Sequence, residues 1–359
     1  MDQNSWKTKQ IEILNCLAGK LEPTVIDSVD WPRMASWLQH VNLGAAGYHM
    51  LGPVFSEAKS HLQEAYYGNI YRDMAQKQVF QEMLNSLQDH ELDIMLLKGA
   101  ALASLAWDEP HVRFQSDIDF LVQRPELHTI AQVLHKANFR FRKPDAIGRF
   151  YDDLPDTNKE GQLEMVSSSD SQVVLEAHTE VFLGHVQRIT AERVEEQLWE
   201  RRVKATPVGV ENMPIGIRFW RLSNEDLIIH VMIHTAINHQ FDENSLRNML
   251  DVIRLAQRIQ IDWHVVHERV SSMKMKTAVW LFMHTAAQIW QNHPFDSVID
   301  QLKPSRLRQR WLTQMINLDV ILDRRILRLS KRRYLLLLLM VDRPVDMFRL
   351  LVRLPFLKE

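Results

Sequence analysis

Two aspartates, Asp117 and Asp119, stand one residue apart inside the mostly apolar stretch RFQSDIDFLVQ, residues 113–123. In a strand, alternate side chains share a face and lie roughly 6.6 Å apart along the chain. Like charges so placed repel and resist burial unless a cation lies between them. A third acid, Glu176, occurs in another strand-like run, VVLEAHTEVF; Glu164 and Glu180 lie in similar segments and compete for that place. Three carboxylates on neighbouring strands make a hard, oxygen-rich site suited to Mg²⁺. Two such ions about 3.5–4 Å apart can hold a triphosphate and activate an attacking hydroxyl. Upstream, Gly99 in LLKGAALA falls at a strand-to-helix turn, where backbone N–H groups can approach a phosphate. Lys98, Arg113 and Ser116 are candidate phosphate contacts by charge and proximity in sequence. The plainer alternatives are a turn glycine at 99, a solvated lysine at 98 and a DxD on a solvated strand edge.

These residues need elements to hold them. DIMLLKG (Asp93–Gly99) reads as a short strand ending in glycine, AALASLAW as a helix, and SDIDFLVQ as a second strand. Pro125 opens a further helix, PELHTIAQVLHKANF, with proline in its favoured first turn. RFRKP, GRFYDDL, GQLEMVSS and SQVVLEAHTEVF follow as β-like segments. On either side the apolar spacing is helical. It runs through QIEILNCLAGKL, RMASWLQHVNL and YRDMAQKQVFQEMLNSLQDH before the block, and returns from about residue 215 in SNEDLIIHVMIHTAINHQ and ENSLRNMLDVIRLAQRI. Ser223 and Asp226 form a plausible N-cap pairing. The expectation is an α+β protein with a small mixed sheet: a helical region over 1–87, an α+β core over 88–205 and a helical region over 206–359.

The order of these pieces resembles the nucleotidyltransferase superfamily of DNA polymerase beta. It is closer still to a bacterial family of uncharacterised nucleotidyltransferases. The resemblance rests on Leu96–Ala103, Arg113, Asp117–Val122, Glu176 with His178, and His234, His239, Leu246, Arg247 and Asp251, and spans roughly residues 70–260. It implies transfer of a nucleoside monophosphate from an NTP to an acceptor, with release of pyrophosphate. By position it makes Asp117 and Asp119 metal ligands and Glu176 the third ligand, with a part in deprotonating the acceptor hydroxyl. Gly99 would line the triphosphate site. The superfamily's glycine motif is usually Gly-Gly or Gly-Ser; here it reads Lys98-Gly99-Ala100, without a serine hydroxyl. That departure keeps a non-catalytic nucleotide-binding or interaction protein open as a rival, beside a kinase-like phosphotransferase.

Other features bound the reading. The chain has 359 residues, 46% hydrophobic and 25% charged, enough for a sizeable core; 43 basic against 45 acidic residues argue against a nucleic-acid partner. The single cysteine, Cys16, fits a reducing compartment and an amphipathic helix core. The N-terminal residues lack a secretory pattern, and the longest uncharged apolar run, Tyr334–Val341, is too short to span a bilayer, so a cytoplasmic protein is expected. His230, His234 and His239 invite a zinc hypothesis, but no suitably spaced cysteine or glutamate supports it, and structural or pocket-lining roles are favoured. His264 and His267 are read the same way. The basic, apolar segment from Arg324 onward is a candidate for peripheral membrane or protein contact, against the alternative of a buried terminal helix pair.

Overall fold

A computed structural model describes residues 2–142, 150–157, 161–170, 172–182, 194–210, 212–323 and 330–353. Parts of the expected segments at 143–144, 148–149 and 171, and of the C-terminal run at 324–329 and 354–359, lie outside the described residues. The architecture is α+β, with two compact units: Tyr67–Leu183 with Glu195–Ser223, and Met1–Tyr66 with Gly184–Val194 and Asn224–Glu359.

The first unit holds an eight-stranded mixed sheet. Its strands are β1 (Leu92–Leu96), β2 (Asp117–Leu121), β3 (Arg140–Arg142), β4 (Phe150–Tyr151), β5 (Gln162–Val166), β6 (Val174–His178), β7 (Val203–Lys204) and β8 (Ile217–Arg221), ordered β4-β3-β5-β6-β2-β1-β8-β7. Strand β2 runs antiparallel to β1 and parallel to β6. Because side chains alternate across a strand, Ile118 and Phe120 face one side and Asp117 and Asp119 the other. Phe120 and Phe219 both lie against Phe80, with ring centroids 6.4 and 6.1 Å away. Phe80 belongs to a long helix, Ser56–Ser86, whose residues from Tyr67 on are part of this unit and place Phe80 on the apolar side of the sheet. The aspartates are left on the opposite face. Strand β7 falls at the end of the expected α+β block and β8 beyond it. IRFWR is a five-residue strand whose flanking arginines blur its alternation, and it completes the sheet beside β1.

Fifteen α-helices occur among the described residues. In chain order they are α1 (Gln3–Leu17), α2 (Trp31–His40), α3 (Gly44–Leu51), α4 (Ser56–Ser86), α5 (Lys98–Ala106), α6 (Arg124–Lys136), α7 (Glu195–Glu200), α8 (Asn224–Ile233), α9 (Ser245–Arg258), α10 (Trp263–Ser272), α11 (Lys276–Ile289), α12 (Arg306–Met315), α13 (Leu318–Asp323), α14 (Ser330–Met340) and α15 (Pro344–Arg353). In the helical unit α8, α9 and α11 form a buried centre around Leu227, Met232, Leu250, Ile253, Trp280 and Phe282. Asp342 caps α11, accepting from the N–H groups of Lys276 at 2.6 Å and Thr277 at 3.1 Å, two donors that a helix start otherwise leaves unsatisfied. Helix α8 runs into a π-helical turn over His234–Asn238, followed by two non-glycine residues with left-handed backbone, Gln240 (φ 49°) and Phe241 (φ 60°). There His239 Nε2 meets His234 Nε2 at 2.7 Å, while His239 Nδ1 hydrogen-bonds Asp242. The expected histidine cluster is thus a polar network at a helix end. His264 pairs with Glu268 on an exposed surface.

Candidate active site

The carboxylates converge because β2 and β6 run parallel in a register that sets Asp119 beside Glu176. Two residues further along β6, on the same face, comes His178. Its Nε2 lies 2.9 Å from Asp119 Oδ1 and 3.5 Å from Glu176 Oε2. From β5, Gln162 donates to Glu176 Oε2 at 3.0 Å. A fifth member arrives at the β1–α5 turn: Lys98 Nζ donates to Asp119 Oδ1 at 2.6 Å. The turn is joined to β2 through the backbone as well, since Leu97 N–H donates to the Asp119 carbonyl at 3.0 Å. Lys98 is the first residue of α5 and has φ +42°, a left-handed conformation for a side chain larger than glycine. Such backbone costs on the order of 1–3 kcal/mol and persists where surrounding contacts over-determine it; here the ion pair and the Leu97 hydrogen bond do so.

The electrostatics follow from burial and mutual proximity. Asp119 is 1% exposed. Burial alone would favour its neutral form, but the Lys98 ammonium and the His178 hydrogen bond outweigh that and hold its carboxyl far below the usual carboxylate range. Glu176 goes the other way. Burial raises it first, and the neighbouring charges of Asp119 and Asp117 add to the rise, more than His178 and Lys98 remove. His178 is pushed down by burial and up by its bonds to both carboxylates; the bonds win, and the ring keeps its proton above the ordinary histidine value. For Lys98 too, burial is overcome by the charges of Asp119, Glu176 and Asp117.

The other predicted residues, Asp117 among them, lie outside the Asp119–Glu176–His178 group. Asp117 lies at the start of β2, where it accepts from the Ser116 hydroxyl at 3.0 Å, and its carbonyl accepts from Gln115 Nε2 at 2.8 Å. Gly99 is needed for close approach: a Cβ there would stand 2.7 Å from both Arg113 Nη1 and Gln115 Oε1. Arg113 is buried against that glycine and donates to the Phe114 carbonyl at 3.2 Å. The rival acids have partners of their own: Glu164 pairs with Arg142, and Glu180 with Arg124 at 3.4 Å. Sequence reasoning gave His178 no role of its own, although its i+2 spacing from Glu176 on a strand marks a shared face. Gln162 carried no signal, because only the pairing of β5 with β6 brings it in; Gln115 reaches the Asp117 carbonyl locally, two residues along the chain.

Among the described residues, Asp119, Glu176 and His178 each present a ligand atom within 4.8 Å of the others. Two carboxylates and an imidazole make a donor set that a divalent cation fits. The rise in Glu176 comes first from burial and then from the neighbouring charges of Asp119 and Asp117.

A mixed sheet that carries paired acids on one face, beside a strand–glycine–helix turn, defines an α+β protein equipped to handle anionic groups. The chain belongs to the uncharacterised nucleotidyltransferase family, whose model matches residues 27–291 and so takes in every residue of the cluster. It is accordingly an enzyme of the nucleotide-transferring class. Comparison with curated proteins and with solved structures returned no match.

Proposed function

We propose that the enzyme moves a nucleoside monophosphate from an NTP to a hydroxyl- or phosphate-bearing acceptor and releases pyrophosphate, with Asp117, Asp119 and Glu176 as the residues that hold Mg²⁺. The observation that carries this reading is the Asp119–Glu176 register, which sets both acids on one face with Asp117 one pleat away. When bound, two Mg²⁺ ions supply charge neutralisation and a nucleophilic acceptor oxygen. The chain's own residues do the rest. Asp119, ionised throughout the neutral range, anchors the charge of the site. His178 bridges Asp119 and Glu176 and fixes their carboxyl planes. Glu176, whose carboxyl favours its proton, is the group suited to accept the acceptor's hydrogen. As the acceptor oxygen bonds to the α-phosphorus, the bond to the bridging oxygen breaks and the pyrophosphate leaves with its electron pair. The amides at the start of α5 and the Lys98, Arg113 and Ser116 side chains are the proposed phosphate contacts, with Gly99 keeping the turn close.

The test is pyrophosphate release from NTP across a panel of acceptors, comparing wild type with Asp117→Asn and Glu176→Gln. Turnover should fall at least about 10³-fold in both variants, with the fold retained. Full activity in either variant, or a nucleoside diphosphate as the leaving group, would refute the assignment.

A further inference from the structure

Asp119 Oδ1 is crowded. It accepts from Lys98 Nζ at 2.6 Å and from His178 Nε2 at 2.9 Å, so both of its in-plane lone pairs are engaged. Its side chain is 1% exposed, whereas that of Lys98 is 23% exposed. A cation ligated by this oxygen must take the position of one of the two donors. His178 is rooted in β6 and is 4% exposed, so it has little freedom to leave. Lys98 is the movable one: a flexible four-carbon stem with a compact charge at its end. Its left-handed backbone aims that stem at Asp119 from the first residue of α5.

We propose that Lys98 is an exchangeable resident cation: its ammonium neutralises Asp119 until a divalent metal takes its place on that oxygen. This rests on the metal reading of the site given above, and adds that the protein itself competes with metal for its own ligand. An ammonium left within a few ångströms of a divalent ion would repel it, so metal entry and Lys98 departure are one event. The device keeps a buried carboxylate satisfied when metal is scarce. It also sets the metal affinity below what the bare carboxylates would give.

The prediction is read from Mn²⁺ binding to the full chain without nucleotide, with free Mn²⁺ measured by electron paramagnetic resonance. Lys98→Met, which keeps the stem and removes the charge, should bind Mn²⁺ on the order of tenfold more tightly than wild type. Lys98→Gly should do the same while relieving the left-handed strain, and so provides a variant whose backbone favours folding. Lys98→Arg, which keeps the charge, should stay within about twofold of wild type. Asp119→Asn separates the two layers of the argument. If it loses Mn²⁺ while the Met and Gly variants bind no more tightly than wild type, the exchange is overturned and the metal site stands. If it binds Mn²⁺ as wild type does, the metal reading itself falls, and the exchange with it.

Discussion

Glu176 is held where its charge is unwelcome: three-quarters or more of its side chain is covered, and Asp119 stands beside it in register. A carboxyl whose folded-state pKa lies above its unfolded value weakens the fold wherever it is ionised. The penalty is complete above the raised value and vanishes below the ordinary glutamate pKa of about 4.3. Glu176→Gln should therefore abolish turnover and yet melt higher than wild type near neutral pH. The advantage should shrink towards zero as the pH is lowered through about 4. Thermal melts of both proteins across that range check it, and a lower melting temperature at pH 7 would contradict it. Asp119 and Glu176, which the strands set side by side, were legible in the sequence because carboxylates inside apolar runs violate the burial pattern. The role of Lys98 was not. A lysine at a strand end looks solvated, and neither its left-handed φ nor its partner 21 residues away has a compositional signature.

At the scale of elements, the strand that leads into α5 is fixed by a clamp on its other neighbour. Asp93 on β1 accepts from Arg218 Nε at 2.8 Å, Arg218 Nη2 at 3.2 Å and Trp220 Nε1 at 2.7 Å, both partners on β8. Burial pushes this carboxyl up, but the hydrogen bonds from Arg218 and Trp220 outweigh it and hold it below its ordinary value. Stability from such a group is present above the unfolded aspartate pKa of about 3.9 and is lost as pH falls through the lower folded value. Asp93→Asn should thus melt lower than wild type at pH 7, and the two curves should draw together as pH falls through the lowered folded-state value. Arg218 is more than half exposed, so the effect should also weaken in high salt. Strand β8 itself escaped the sequence reading, since five residues flanked by arginines resemble the lead-in to the helix after them. Helix α4 shows the reverse problem. Its helical period continues unbroken from Ser56 to Ser86, while the division into compact units falls at Tyr67. Periodicity reports backbone conformation and is silent on where contacts part.

At the scale of the whole molecule, the described residues contain no helix long and apolar enough to cross a membrane. On α15, Val345, Phe348 and Leu351 stand exposed, while Leu336, Leu337 and Met340 of α14 are buried. The terminal pair is thus part core and part surface. Cys16 lies deep in α1 at 2% exposure, and burial, with smaller contributions from Glu12 and Glu22, pushes its thiol up to about 12. Since the thiolate is the reactive form, an aromatic disulfide reagent at pH 8 should label it only as the helical unit opens. Labelling should be slow in buffer and complete within seconds in strong denaturant. Rapid labelling of native protein would show that α1 frays.

The two outermost strands of the sheet, β4 and β7, are each two residues long. A foreign strand approaching either rim meets few unpaired amides, and on the β7 side Lys204 and Pro207 add a charge and a residue without an N–H. A platform eight strands wide would otherwise be a template for fibril growth. Its stunted borders let the enzyme be concentrated without its copies stitching together edge to edge.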